Sequence, residues 1–223
     1  MTTSLLRYRA VLFDLDGTLV DSYPALSEAV NFARREHGLG ALSEARIRGC
    51  VGDGIEKLLE RTFGNTQVPP GFRTAFESRY DEVCCAQSKV LGGVESTLAA
   101  LTALDVPMAV CTNKPTFFSK KILDSLMLAR HFRAIVGPDL AGAQKPDPRH
   151  LLFALAATEC QPSEALFVGD MTIDVHAARN SGIHVAVVAS GSSPAEELKA
   201  AGPDHYLDRF ADLVAIVRNG AAA

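Results

Sequence analysis

The 223-residue sequence is short of the features that several broad classes of protein require. Its five cysteines, at positions 50, 84, 85, 111 and 160, are odd in number and have no metal-ligand spacing, and the adjacent Cys84 and Cys85 are poorly placed to bridge one another. A disulfide framework is excluded, and the pattern reads as that of a reduced, cytoplasmic protein. Basic charge does not prevail: 22 Lys and Arg against 26 Asp and Glu leave a net charge of −4, so nucleic acid is not an expected partner. No apolar run approaches the length of a membrane span, and no charged-then-apolar N-terminal segment reads as a signal peptide, so no membrane is expected as a partner either. Internal repeats are missing, and low complexity is confined to a small Ala-rich tail.

What is present is an ordinary core-forming composition, 48% hydrophobic and 22% charged, at a length that suits one domain or a domain with a modest insertion. Three apolar runs rich in β-branched residues read as buried parallel strands: "AVLF" (10–13), "PMAVCTN" (107–113) and "ALFVGD" (165–170). "HVAVVAS" (184–190) reads as a fourth. Between them lie helical patterns, "GVESTLAALTAL", "FFSKKILDSLML" and "PRHLLFALAA". Strands alternating with helices predict a doubly wound α/β sheet, which binds its ligand at the carboxyl ends of the strands. Asp14, Thr112 and Asp170 are expected to emerge there.

Residues 22–88 break this rhythm, with helical segments ("PALSEAVNFARREHG", "GIEKLLERTFG", "FRTAFESRYDEVCCAQ") and no buried strand. They read as a helical domain inserted after the first strand, dividing the chain into a core of 1–21 and 89–223 and a cap of 22–88. Ser22 followed by Pro24 predicts a capped helix start, and Gly92-Gly93 a return hinge. Phe117 and Phe118 are expected to pack into the core, and His176 to be an ordinary helical histidine.

The acids carry the chemistry. Asp14 and Asp16 lie two apart in "FDLDG", on one side of an extended backbone, and Gly17 lets the chain turn. Two such carboxylates repel unless a cation or proton intervenes. D-x-D alone is common in solvated turns, but "GDMTID" repeats the strand-then-acid layout with Asp170 and Asp174. Hard oxygens gathered at strand ends suit Mg²⁺ with a substrate phosphate. "CTNKP" adds the Thr112 hydroxyl and the Asn113 amide before a helix N-terminus, a good anion site. Lys145 in "GAQKPDP" adds a compact positive charge.

Four elements in this order, "FDLDGTLVDS", "CTNKP", "KPDP" and "VGDMTIDVHAARNSG", resemble the motifs of the haloacid dehalogenase superfamily, in its phosphatase branch similar to phosphoglycolate phosphatases. The resemblance covers nearly the whole chain and implies a Rossmann-like core with an inserted helical cap. It implies Asp14 as nucleophile, Asp16 as general acid/base, and Thr112, Asn113 and Lys145 as holders of the transferring phosphoryl group. It also implies Mg²⁺ bound by Asp14, the Asp16 backbone carbonyl and Asp170, with Asp174 in support. Gly92 departs from the proline of many relatives, and Ser190-Gly191 from a bulkier residue before glycine.

An acid at position 16 favours phosphoryl over halide or phosphonate chemistry, and Asp174 stands where phosphosugar mutases usually have glycine. A receiver-like signalling domain or a non-catalytic relative is the rival from another class. The expectation is a small-molecule phosphate ester, 2-phosphoglycolate in particular, with Arg48 and the "GCVGDG" turn (49–54) of the cap meeting the leaving group.

Overall fold

The computed structural model describes residues 6–191 and 193–219, so the Ala-rich tail (221–223) lies outside the described residues. Six parallel strands form the central sheet: β1 (Ala10–Phe13), β4 (Met108–Cys111), β5 (Ala134–Val136), β6 (Ala165–Gly169), β7 (His184–Val188) and β8 (His205–Leu207), in the spatial order β5-β4-β1-β6-β7-β8. The remaining two strands, β2 (Val20–Asp21) and β3 (Lys89–Val90), form a separate antiparallel ribbon.

The sheet is apolar on both faces because helices cover both. Along β1, Val11 and Phe13 face one core, while Ala10 and Leu12 face the other. Leu166 and Val168 of β6 join the first core, and Ala165 and Phe167 the second. On the second face, α8 (Pro148–Ala156) and α9 (Thr172–Ser181) supply Leu151, Leu155, Val175 and Ala178. On the first, α5 (Val94–Ala103) and α6 (Thr116–Ser125) contribute Leu98, Leu101, Ile122 and Leu123. Short helices α7 (Pro138–Ala141), α10 (Ala195–Ala200) and α11 (Leu213–Asn219) complete the layers.

Chain order runs outward from β1 to β4 and β5, then restarts on the other side of β1 with β6, β7 and β8. This reversal opens a crevice beyond the carboxyl ends of the central strands. Asp14, Thr112 and Asp170 each follow directly on β1, β4 or β6 as expected.

Four helices leave and rejoin the sheet through the β2–β3 ribbon, in which Val20 pairs with Val90 and Asp21 with Lys89. They are α1 (Tyr23–Glu36), α2 (Glu44–Arg48), α3 (Ile55–Phe63) and α4 (Pro70–Gln87). Helix α1 buries Leu26, Ala29, Val30 and Ala33, the face that packs on α4. Helix α1 starts at Tyr23, but Ser22 does not cap it: its side chain makes no capping hydrogen bond and is used elsewhere. Phe118 is buried, whereas Phe117 is 62% exposed, because the two neighbours point to different sides of α6. His176 is exposed on α9, as expected. No helix among the described residues is long and apolar enough to cross a membrane, and all five cysteines are unpaired.

Candidate active site

Four carboxylates converge under the cap. Asp14, Asp16, Asp170 and Asp174 are all buried, with two buried ammonium groups, Lys114 and Lys145, among them. Lys145 Nζ lies 2.7 Å from Asp174 Oδ1, to which it donates a hydrogen bond, and 2.8 Å from Asp14 Oδ1. Lys145 is thus shared between the two carboxylates, with its better aligned hydrogen bond to Asp174. Lys114 Nζ donates to Asp16 Oδ2 at 2.6 Å, and the Ser22 hydroxyl donates to Asp16 Oδ1 at 2.5 Å.

Local geometry explains these positions. Gly17 has φ +85°, and a Cβ there would come within 2.6 Å of Asp170 Oδ2, so the turn after Asp16 is open to glycine alone. Gly191 presses on the same carboxylate from the other side, where a Cβ would fall 1.5 Å from Oδ2. Thr18 Oγ1 donates to Asp170 Oδ1 at 2.6 Å. Asp174, in the first turn of α9, accepts the N–H groups of Asp170 and Met171 at 3.1 and 2.9 Å. Thr112 Oγ1 accepts from Lys114 N at 3.3 Å, which leaves its proton available.

If all six groups are ionised, four negative charges face two positive ones, leaving two in excess within a buried cluster. Burial pushes the Asp14 carboxyl up to about 6 against the pull of Lys145, with Asp174 adding to the rise. Burial, with Asp14 and Asp174 beside it, also raises Asp170 well above the carboxylate range. Both Lys145 and Lys114 are lowered by burial but lifted further by their acids, and so stay charged. A proton or a cation must therefore balance the acids. Carboxylate oxygens of Asp14, Asp170 and Asp174 all lie within 4.8 Å of one another, and this all-oxygen set, left with two net negative charges by Lys145, fits one hard divalent cation.

A cavity of about 60 Å³ opens above Asp14. Asp14, Asp16, Thr112, Asn113, Lys114 and Lys145 form its polar floor, and the cap contributes Leu26, Leu58, Phe76 and Tyr80. Residues 51, 52, 54 and 55 of the cap turn also line it, and Gly52 O accepts from Asn113 Nδ2 at 2.9 Å. Arg48 is not brought to the cavity. Its guanidinium lies 3.9 Å from the Tyr23 ring centroid, and Nη1 reaches Gly191 O at 3.4 Å, across the seam between cap and core.

Several residues of the site escape motif reading. Ser22 looks like a helix cap, Thr18 is an unremarked hydroxyl after Gly17, and Lys114 looks like a surface lysine between Asn113 and Pro115. Each has one signal, its position inside a motif: Thr18 and Ser22 in "FDLDGTLVDS" and Lys114 in "CTNKP".

Residues 11–188 match the profile of the family described as haloacid dehalogenase-like hydrolase. The chain is 35% identical over 215 residues to the phosphoglycolate phosphatase of Pectobacterium atrosepticum, covering 94% of this chain and 92% of that one. It is 34% identical over 217 residues to the N-acetylmuramic acid 6-phosphate phosphatase of Pseudomonas aeruginosa, covering 95% and 96%. A crystal structure described as a predicted phosphoglycolate phosphatase from Haemophilus somnus superposes with a TM-score of 0.87 at 30% identity, covering 94% of this chain and 98% of that one. On sequence and fold together, the chain belongs to the haloacid dehalogenase-like hydrolase family.

Proposed function

We propose that the protein is a Mg²⁺-dependent phosphatase that hydrolyses a small phosphomonoester, 2-phosphoglycolate in the first instance, through an aspartyl-phosphate on Asp14. The observation that carries this reading is the place of Asp14 at the cavity floor, with Lys145 Nζ 2.8 Å from its Oδ1 and carboxylate oxygens of Asp170 and Asp174 within 4.8 Å. A carboxylate at the cavity floor beside a buried ammonium is placed to meet an electrophile that carries negative oxygens, and phosphorus in a phosphate ester is one.

In this reading Asp14 attacks phosphorus, the ester P–O bond breaks, and Asp16 hands its proton to the departing alkoxide. Asp16 then takes a proton from water, which attacks phosphorus and frees Asp14 with release of phosphate. Lys145 and the Thr112 hydroxyl meet the phosphoryl oxygens, where fixed donors stabilise the charge of the transition state. Asn113 serves through its side chain by holding the Lys145 backbone. Mg²⁺, held by Asp14, Asp170 and the Asp16 main-chain carbonyl, supplies positive charge that offsets repulsion between nucleophile and phosphate. Asp174 supports the set, since its two oxygens already accept hydrogen bonds from Lys145, Asp170 and Met171.

The cap supports a compact ester, because Leu26, Leu58, Phe76 and Tyr80 cover the cavity above Asp14 with largely apolar walls. The test is kcat/KM with Mg²⁺ across a panel holding 2-phosphoglycolate, N-acetylmuramic acid 6-phosphate, hexose phosphates and an aryl phosphate. Preference for 2-phosphoglycolate is expected. Preference for a sugar phosphate overturns the substrate, and no release of phosphate from any ester overturns the activity.

A further inference from the structure

Proton donors outnumber acceptors on the leaving-group side of the cavity. The Lys114 ammonium has three N–H donors, and among the described residues its one hydrogen-bond acceptor is Asp16. Its other neighbour on the cavity wall is Tyr80, whose ring centroid is 4.9 Å from Nζ and whose hydroxyl interacts with the ammonium, an arrangement that leaves the phenol proton without an acceptor. Tyr80 is buried on α4 of the cap, and its Oη has no hydrogen-bond acceptor. Burial raises the phenol, with Lys114 pulling the other way, so it remains a protonated donor at working pH. The other cap residues of this wall, Leu26, Leu58 and Phe76, offer no polar atom beyond their backbone, and neither does Phe118 of the core.

Buried donors without acceptors cost free energy, of the size of a lost hydrogen bond for the phenol and more for the ammonium. Two such donors, one from the core and one from the cap, meet at one place next to Asp16. A carboxylate resolves the mismatch, because it brings two acceptor oxygens and one negative charge to an ammonium and a hydroxyl.

We propose that Lys114 and Tyr80 form a subsite for a second anionic group of the substrate, a carboxylate one carbon beyond the ester oxygen. The inference rests on the phosphatase reading and deepens it by assigning the specificity to these two side chains and not to Arg48. Asp16 is the proton donor to the ester oxygen in that reading, so the carboxylate oxygens held by Lys114 are three bonds from the oxygen Asp16 serves. Because Tyr80 belongs to the cap and Lys114 to the core, a substrate carboxylate also ties the two together, and a substrate lacking it closes the cap less firmly.

2-Phosphoglycolate and ethyl phosphate share the ester and differ in the carboxylate, so their kcat/KM ratio reads the subsite. The ratio is to be measured for the wild type, Lys114→Met, Lys114→Arg and Tyr80→Phe. The wild type is expected to prefer 2-phosphoglycolate by tenfold or more. Lys114→Met is expected to slow both esters, since Asp16 loses its partner, and to cut the ratio about tenfold or more. Lys114→Arg keeps the charge and is expected to retain much of the ratio. Tyr80→Phe removes only Oη, so the fold is kept. It is expected to raise KM for 2-phosphoglycolate several-fold and to leave KM for ethyl phosphate within twofold. Equal losses on both esters in Lys114→Met, with an unchanged ratio in Tyr80→Phe, overturn the subsite. So does a wild type that hydrolyses both esters equally well, and in that case the phosphatase reading stands. If neither ester is hydrolysed while another phosphomonoester is, the subsite falls and the general activity stands. If no ester is hydrolysed, both fall.

Discussion

Asn113 clasps the backbone of Lys145 from both sides: its Oδ1 accepts from Lys145 N at 2.8 Å, and its Nδ2 donates to Lys145 O at 3.2 Å. Nδ2 also donates to Gly52 O of the cap, so one amide fixes the lysine and touches the lid. Asn113→Ala leaves buried backbone groups unpaired, a loss of about 1–3 kcal/mol. At about 2–4 °C per kcal/mol for a chain of this size, melting should fall by several degrees. Asn113→Asp keeps the acceptor for Lys145 N but should be worse, because it sets a buried negative oxygen against the carbonyls of Gly52 and Lys145. Thermal unfolding checks both, and a melting temperature unchanged in Asn113→Ala would show that the clasp contributes nothing.

Asp14→Asn and Asp16→Asn should both stop turnover yet differ in the trapped species. Without the attacking carboxylate, Asp14→Asn should form no phosphoenzyme. Asp16→Asn keeps Asp14 and should accumulate a hydroxylamine-labile acyl phosphate from an ester with a good leaving group, since the second step lacks its base. Intact mass after acid quench separates the two. The same phosphorylated fraction on both variants contradicts the assigned roles.

Lys145→Ala should lower kcat/KM by roughly 3–4 kcal/mol of transition-state stabilisation, near a thousandfold. It also strands Asp14 and Asp174 without their buried cation. Stability should therefore drop as well, by about 3–5 kcal/mol if the acids stay ionised. A variant within about threefold of wild type would remove Lys145 from the site.

Metal and proton compete for the same acids. With Asp14 raised to about 6, the folded metal-free chain holds a proton between pH 4 and 6 that the unfolded chain has released. Stability in EDTA should thus fall as pH rises through this window, and Asp170, raised for the same reasons, should add to the fall. Mg²⁺ should restore stability above pH 6 and bind more weakly below it. The measurement is the melting temperature at pH 5 and 7, with EDTA or Mg²⁺, for wild type and Asp14→Asn. An Asp14→Asn variant with the same pH trend in EDTA as wild type would show that Asp14 does not cause it.

Much of the fold is legible in the sequence because its central strands are apolar on both faces, and an unbroken apolar run such as "AVLF" is hard to mistake. Edge strands β5 and β8 are not legible: three residues each, paired on one side, they are too short to show a pattern. Asp14, Asp16, Asp170 and Asp174 stand out because acids at the ends of apolar runs are costly without a partner. Their partners do not. Ser22 and Lys114 are polar residues of types common on surfaces, and only the folded chain shows that Asp16 faces both. Arg48 illustrates the opposite failure, since its charge invites a substrate, while its position 3.9 Å over Tyr23 depends on how the cap lies on the core.

The strand that precedes Asp14 is the first of the sheet to be translated and waits long for its neighbours. Val11 pairs with Met108 on one side and Leu166 on the other, so β1 waits for most of the chain before both its edges are covered. Helices α1 and α4, which pack on each other within residues 23–87, depend on no such delay. During synthesis the lid can therefore gain structure ahead of the sheet that it will cover, while an apolar segment with open edges stays at risk of pairing with other chains. Ribosome-stalled chains ending before residue 165 should be helical yet cleaved by protease near residue 13. Protection of β1 in such a chain would show that one neighbour is enough.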